Sequence, residues 1–329
     1  MVNLSNKEKE IGVLKDIVAT FDLNNKKKEF SVQIARNNWR PELAFGSYIY
    51  VPDSEFGGEV GEMLTNTTLD YVELKGFTWR GRLDTKIIEP PDGNDYKTVS
   101  GELHTVMKEL IEPEFEGLFL VAENDTEISV DGFQFDRYCT LLSGLTKMLK
   151  SAGCKLRLTH KRVKDASNYV LVEAVPIVDY SSVIELSKDC RLNYSMTDKK
   201  NGVNHLIVTG KGELQERNIL HLYMWPDGVI RTEQYYTGKD EISMVYENTS
   251  TETEELRSQA EEKFKEVCSK KTFKMDVEKL GLNVGIGDIV GGRDYLTGLY
   301  AAKPIENITY AITNGVVEKI YKLEGEDSK

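Results

Sequence analysis

The sequence is poor in cysteine, with four residues in a chain of 329. They are far apart and never form a Cys-x-x-Cys pair, a spacing that is typical of zinc and redox sites. We interpret them as reduced thiols, in the core or at the surface, of a protein made in the cytosol. The four are Cys139, Cys154, Cys190 and Cys268.

Long hydrophobic runs are also missing. The N-terminal segment MVNLSNKEKEIG contains no apolar stretch like that of a signal peptide. No apolar run approaches the ~18 residues that a membrane-spanning helix requires. We therefore expect no signal peptide and no membrane insertion.

Positive charge is in deficit, because 42 lysines and arginines stand against 54 aspartates and glutamates, which gives a net charge of −12. Proteins that grip a nucleic-acid backbone need a surplus of basic residues to displace its counterions. The two basic clusters, residues 26–28 and 155–164, are not interleaved with aromatic residues as a stacking platform would be. We expect them to be solvated surface, and we expect no specific nucleic-acid binding.

Patterns of catalytic and metal-binding residues are absent from the sequence. None of the four histidines has His-Glu-x-x-His spacing or a cysteine or carboxylate at ligand spacing, and there is no Gly-x-Ser-x-Gly motif. A faint resemblance to a calcium loop at residues 125–132 fails because Val130 stands where the sharp-turn glycine belongs, so a hairpin turn is the better interpretation. The acidic pair Asp240-Glu241 is unremarkable in a chain with 54 acids. We predict no enzymatic activity, no catalytic, metal or cofactor-binding residues and no cofactor. We interpret as structural His104, on the polar side of a helix, His205 and His221, in strands, and His160.

The densest run of glycines is GDIVGGRDYLTGLYAAKPI, residues 287–305. It lacks the lysine and hydroxyl residue of a phosphate-binding loop, and its glycine spacing misses a dinucleotide fingerprint. It predicts a turn at Gly291-Gly292 and another near Thr297-Gly298, with at least one of these glycines at positive φ. We expect no phosphate to bind here, and we expect Asp288 and Asp294 to have no catalytic role.

The pattern of strands and helices divides the chain into three parts. Residues 1–95 read as short strands up to the break at Pro90–Asp95, and strands near 170–200 could complete this part. Residues 96–178 form a small α+β unit with one amphipathic helix from Ser100 to Pro113 and a second from Asp136 to Gly153. Residues 179–329 return to strands around one helix at about 253–269. Hairpins are predicted at Pro226-Asp227-Gly228 and at Asn314-Gly315. Other predicted strands are EFSVQIA, YVELKGFTWRGRLDTKIIEP and GVIRTEQYYTG.

Long ordered motifs resemble a known family. The C-terminal third contains NGVNHLIVTGKGELQERNILHLYMWPDGVI, then EQYYTGKDEISMVYE, then GDIVGGRDYLTGLYAAKPI, and the earlier part contains VELKGFTWRGRLDTKIIEPP and NYVLVEAVPIVDYS. Together they resemble a tail-protein family of siphoviruses and Gram-positive prophages that is named after a Rhodococcus phage. The resemblance covers nearly the whole chain.

The resemblance implies a baseplate-hub type of protein, with two tail-tube-like β-barrel domains and a small inserted α+β domain. The expected fold class is therefore α+β, mainly β. The implied protein is a structural homotrimer that joins the sixfold tail tube to a threefold spike or tip in a phage, a prophage or a phage-tail-like bacteriocin. Its implied neighbours are the tail-tube protein, the spike or tip protein, and tape-measure and LysM-type baseplate proteins. It would be synthesised in the bacterial cytoplasm and assembled into a virion or tail-like particle.

Two other functions remain open at this point. A carbohydrate-binding protein at the tail tip would need an exposed aromatic platform, for which the candidates are Trp39, Trp79, Trp225 and the pair Tyr235-Tyr236; most of them lie in strand patterns that favour a place in the core. A peptidoglycan hydrolase would need carboxylates or zinc ligands in a catalytic pattern.

Overall fold

The computed structural model of the chain describes residues 2–5, 10–24, 26–163, 168–182, 194–212, 217–248, 253–275, 277, 283–313 and 315–325. Two compact units are present. The first comprises Met1–Asn193, Met275–Gly292 and Ala302–Lys329, and the second comprises Tyr194–Lys274 and Arg293–Ala301. The three-part division at about residues 95 and 178 stays a prediction beside this grouping.

The N-terminal part of the first unit is built from short strands, and two of them, Ile17–Asp22 and Glu29–Ala35, alternate between buried and more exposed side chains. In EFSVQIA the buried positions are Phe30, Val32 and Ile34, so one face of the strand enters the core, and the predicted strand is confirmed. The strands are β1 (Val2–Ser5), β2 (Glu10–Leu14), β3 (Ile17–Asp22), β4 (Glu29–Ala35), β5 (Tyr48–Tyr50), β6 (Gly57–Glu59), β7 (Glu62–Thr65) and β8 (Tyr71–Phe77).

The C-terminal strands β20 (Ile289–Arg293), β21 (Tyr300–Thr313) and β22 (Val316–Leu323) join this N-terminal part. One sheet has the order β20-β21-β3-β4-β8-β7, with β22 beside β21, and a smaller sheet has the order β2-β1-β5-β6. Strand β21 pairs antiparallel with β3, and the side chain of Asn307 accepts a hydrogen bond from the backbone N–H of Asn24 at 2.6 Å. The predicted hairpin between β21 and β22 is confirmed by the pair Thr313↔Val316, although Asn314 lies outside the described residues.

The inserted α+β part holds two amphipathic helices against small sheets. The predicted apolar face of the first helix is confirmed, since Leu103, Val106, Met107, Leu110 and Ile111 are all buried. Sheets of order β10-β13-β12 and β11-β9 complete this part. The elements are β9 (Thr98–Glu102), β10 (Phe119–Val121), β11 (Ser129–Gln134), β12 (Cys154–Lys161), β13 (Tyr169–Pro176) and the helices α2 (Leu103–Ile111) and α3 (Leu141–Ser151).

Helix boundaries differ from the prediction where capping decides them. Helix α2 begins after Glu102, whose carboxylate accepts a hydrogen bond from the N–H of Thr105, so the predicted start at Ser100 is wrong. Helix α3 begins after Thr140, and the predicted cap Asp136 instead forms an ion pair with Lys147. The predicted stop at the second helix is confirmed, because Gly153 has a φ of 70°.

A third helix, α1 (Trp79–Asp84), lies where the sequence predicted a strand. The hydroxyl of Thr78 caps it by accepting a hydrogen bond from the N–H of Gly81. A Cβ atom at Gly81 would lie 2.3 Å from the carbonyl oxygen of Lys28. The helix therefore packs so closely against the backbone at Lys28 that only glycine fits at position 81. Trp79 and Leu83 of this helix are fully buried.

The second unit packs one helix against a four-stranded sheet of order β17-β16-β15-β18. Leu206, Val208 and Leu222 from the sheet form its core with Ala260 and Phe264 from the helix. The elements are β14 (Tyr194–Lys199), β15 (His205–Thr209), β16 (Ile219–Met224), β17 (Ile230–Arg231), β18 (Ser243–Glu247), β19 (Lys270–Met275) and the helix α4 (Thr253–Val267).

The turn predicted at residues 226–228 is confirmed, with Gly228 at a φ of 79° between β16 and β17. The strand predicted over GVIRTEQYYTG is much shorter in the structure, where β17 contains only Ile230 and Arg231 and residues 232–237 lie outside the sheet.

The chain is thus mainly β with helices, as expected for the α+β class. Within the part of the chain that the structure describes, the sheets are open and do not close into barrels. Cys139, Cys154 and Cys268 are free thiols, and Cys190 lies outside the described residues. No helix among the described residues is long and apolar enough to cross a membrane.

Candidate functional sites

Of the two turns predicted in the glycine-rich segment at 287–305, one is present and the other position lies in a strand. Gly291 and Gly292 are buried inside β20, so the turn predicted there is wrong. The second turn is confirmed, with Gly298 at a φ of 72° and its N–H bonded to the carbonyl of Asp294. The carboxylate of Asp294 accepts hydrogen bonds from Thr297 and from the N–H of Leu296, and these bonds, that from the Thr297 side chain above all, lower its pKa.

Replacing Gly298 with alanine should destabilise this turn by about 1 kcal/mol, because alanine disfavours positive φ although the space around the position is open. We expect the amides of Gly298 and Asp294 to exchange hydrogen about fivefold faster. The control is Gly61→Ala, since that glycine also has open space but does not have a positive φ. Equal exchange in Gly298→Ala and the parent would contradict the prediction.

Asp288 is a buried structural residue of the first unit. Its side chain is 2% exposed and forms an ion pair with Lys155, whose side chain is 14% exposed. The two carboxylate oxygens also accept hydrogen bonds from the N–H groups of Val178 and Gly285, at 2.9 and 2.8 Å. One carboxylate therefore ties the C-terminal segment to β12 and to the residues that follow β13.

Two histidines of the inserted part are buried. His104 was predicted on the polar side of its helix, which is wrong: it is 4% exposed, and its ring bridges Asn124 and Ala174. Its Nε2 accepts from the N–H of Ala174 at 2.9 Å, so Nδ1 carries the proton and donates to the carbonyl of Asn124. A polar residue on the apolar side of a helix is tolerated here because both ring nitrogens are hydrogen-bonded.

His160 has no such partners. It is 1% exposed, its ring stacks 3.7 Å from that of Tyr50 and 5.7 Å from that of Trp79, and neither ring nitrogen has a hydrogen-bond partner among the described residues. Burial lowers the pKa of His160 from 6.5 to about 4, against a smaller opposing effect of Asp53. The ring is therefore held neutral.

In the second unit the other two histidines form a chain of hydrogen bonds with Glu241. Nδ1 of His205 lies 2.5 Å from the Glu241 carboxylate, and Nε2 of His205 lies 2.8 Å from Nδ1 of His221. The hydrogen bond from His205, followed by that from Ser243, lowers the pKa of Glu241. Because a carboxylate oxygen accepts, Nδ1 of His205 donates the hydrogen bond to Glu241.

This chain of hydrogen bonds links β15 and β16 to the residues just before β18. The register of β15 and β16 brings the two histidines together. His205 lies opposite Tyr223 and Ile207 lies opposite His221, so His205 and His221 are diagonal neighbours on the two strands. The described residues contain no group of three His, Cys, Asp or Glu side chains that could hold a metal ion.

A cluster of aromatic rings lies on the surface of the second unit. The ring of Tyr235 is 5.0 Å from those of both Trp225 and Tyr236, and the guanidinium of Arg231 lies 4.1 Å from the Trp225 ring. Tyr235 is 52% exposed, whereas Trp225 and Tyr236 are half-buried. Of the other tryptophans, Trp79 is fully buried and Trp39 is half-buried. The expectation that most of the five aromatic candidates lie in the core is therefore wrong.

Next to the aromatic cluster is a cleft of about 700 Å³, formed entirely by residues of the second unit. Trp225 and Tyr236 line it, together with Lys200, Lys239 and Lys265. Sequence patterns did not predict it, since its residues come from separate loops and from the end of α4.

Comparison with known proteins gives likenesses only among solved structures. No family model matches the chain, and no curated protein matches it. The 43 kDa tail protein of prophage MuSo2 from Shewanella oneidensis is 11% identical, with a TM-score of 0.48, covering 98% of this chain and 97% of that one. The prophage tail protein gp18 from Listeria monocytogenes is 10% identical, with a TM-score of 0.48, covering 99% and 95%.

The tail protein from Neisseria meningitidis is 14% identical, with a TM-score of 0.44, covering 98% of this chain and 96% of that one. These three proteins are all tail proteins, and two of them are named as prophage proteins. At such identities and with TM-scores below 0.5, these likenesses do not establish the fold or the function of this chain.

Proposed function

We propose that this chain is a structural hub protein of a phage tail, prophage tail or phage-tail-like bacteriocin. Three copies would form a ring between the sixfold tail tube and a threefold spike or tip. The proposal rests on the ordered motifs of the sequence, which correspond to neighbouring strands of one sheet: NHLIVTG to β15, ILHLYMW to β16 and EISMVYE to β18. Tape-measure and LysM-type baseplate proteins are its further proposed neighbours.

A surface of the first unit supports assembly. Among the described strands, β22 pairs only with β21, and it carries three exposed apolar side chains. Val316 is 68% exposed, Val317 47% and Ile320 51%. An exposed edge strand with apolar residues is a ready site for pairing with another chain, and it is a liability in a protein that stays alone. We propose that this edge lies at a subunit interface of the ring.

The finer arrangement is also a proposal. In it, the two barrels of similar topology predicted over residues 1 to about 95 and about 180 to 329 form once neighbouring chains complete them, with β20 to β22 contributed to the first barrel. Three chains would then present six barrels to the tube. The net charge of −12 would give an acidic channel that repels passing DNA. The proposed role is not enzymatic, and a zymogram on bacterial cell walls tests the alternative of a peptidoglycan hydrolase.

A map of the assembled tail tests the proposed position. We expect three copies in a ring on the tail axis, between tube and tip. Six copies, or a position away from the axis, would contradict the proposal.

The edge strand gives a second test. Val317→Lys and Ile320→Lys should reduce incorporation into tails at least tenfold, because they place charge in a subunit interface. Ile87→Lys is the control, since Ile87 is 49% exposed but lies outside the strands named above. Equal incorporation of all three variants would exclude β22 from the interface.

A further inference from the structure

We propose that the cleft of the second unit binds an acidic saccharide, one whose sugar ring carries a carboxylate or a phosphate. The size is suitable, because its volume of about 700 Å³ falls within the range of sites that hold small ligands, roughly 300–1,000 Å³. This inference does not depend on the proposed position in a tail.

Aromatic side chains provide the surface on which a sugar ring would lie. Trp225 and Tyr236 line the cleft, and aromatic rings combine a large apolar face with a polar edge, which suits the mixed apolar and hydroxyl surface of a sugar. The indole is held in place from two directions. Its Nε1 donates to the carbonyl of Glu233 at 2.9 Å, and Arg231 covers part of its face. A ring that is fixed before binding loses little entropy when the ligand arrives.

The loop that carries Tyr236 is also held. The side chain of Asn204 donates to the carbonyl of Asp240 at 2.7 Å and accepts from the N–H of Ile242 at 2.8 Å. Glu241, between these two residues, is bound by His205. Hydrogen bonds with Asn204 and His205 therefore hold residues 240–242, of which Asp240 and Ile242 line the cleft.

The charge of the cleft selects an anion. Three lysines and one aspartate line it, so it is locally positive in a protein whose net charge is −12. Among the described residues Lys239 and Lys265 form no ion pair, and both are exposed. A small anion would meet this local field, whereas a long nucleic acid would also meet the acidic remainder of the chain.

The binding experiment is a calorimetric titration of the full chain with four probes. They are a tetrasaccharide alternating glucuronate and N-acetylglucosamine, glucose 1-phosphate, neutral chitotetraose and the dinucleotide dTdT. We expect at least one acidic sugar to bind at least tenfold more tightly than chitotetraose and dTdT, and the two acidic probes distinguish carboxylate from phosphate. Binding of neither acidic sugar, equal binding of the neutral sugar, or tightest binding of dTdT would overturn the proposal.

Variants locate the site. Trp225→Ala should weaken binding of the acidic sugar at least tenfold, and Trp39→Ala, in the first unit, should not. Lys239→Gln changes an exposed side chain and should preserve the fold while it removes most of the preference for acidic over neutral sugar. Its control is Lys211→Gln, an exposed lysine outside the cleft. The same loss in both lysine variants, or no loss in Trp225→Ala, would place binding elsewhere and refute the inference.

Discussion

Replacing Asp288 with asparagine should destabilise the first unit by about 3–5 kcal/mol, because it leaves the ammonium group of Lys155 buried without its counter-charge. The free energy of unfolding in urea, followed with hydrogen exchange of the β12 amides, measures the effect. Asp294→Asn is the control, since it makes the same chemical change in an exposed turn and should cost far less.

A double variant tests the cause. If the buried charge is responsible, adding Lys155→Met to Asp288→Asn should recover stability, with a coupling energy of about 0.5–3 kcal/mol. Strict additivity of the two single variants would show that lost hydrogen bonds, to Val178 and Gly285, account for the effect instead.

His160 should make the first unit sensitive to acid. Its pKa in the folded protein is about 4 against an ordinary 6.5, so between these values the unfolded chain binds a proton that the folded chain does not. The free energy of unfolding is therefore unaffected by this group above pH ~6.5. It decreases as the pH falls from 6.5 to 4, by about 3 kcal/mol in all.

The variant His160→Phe should keep the stacking with Tyr50 and Trp79 while removing the titrating group. We expect its free energy of unfolding to exceed that of the parent increasingly as the pH falls from 6.5 to 4. Hydrogen exchange of the β12 amides at several pH values measures this in the first unit. His221→Gln is the control, because it changes an exposed histidine in the second unit. Parallel pH profiles for parent and His160→Phe would contradict the assignment.

Local patterns predicted the elements that local rules govern. The apolar spacing in α2 and the alternation in β4 follow from the side-chain periods of helix and strand, and the structure has both. The prediction failed at α1, since aromatic and β-branched residues favoured a strand there. The cap by Thr78 and the close approach at Gly81 decided otherwise.

The candidate sites were harder to predict because strand pairing and loops bring distant residues together. His205, His221 and Glu241 are separated in sequence and meet only through the register of β15, β16 and β18. The sequence also indicates Trp225, Tyr235 and Tyr236 as candidates for an aromatic platform. Whether they are exposed depends on where the strand ends: the predicted strand included Tyr235, but β17 ends at Arg231.

The pairing of β3 with β21 has a consequence for how the chain is made. The hydrogen bond beside it joins residues 283 positions apart, so the ribosome must add nearly the whole chain after β3 before its partner exists. At a synthesis rate of about 5–20 residues per second, the edge of β3 that pairs with β21 stays unpaired for roughly 15–60 seconds. During synthesis that edge is free to pair with another nascent chain, and such long-range closure is slow even when the chain is complete. Yield in a host cell should therefore depend on chaperone capacity and expression temperature more than on the equilibrium stability of the finished fold.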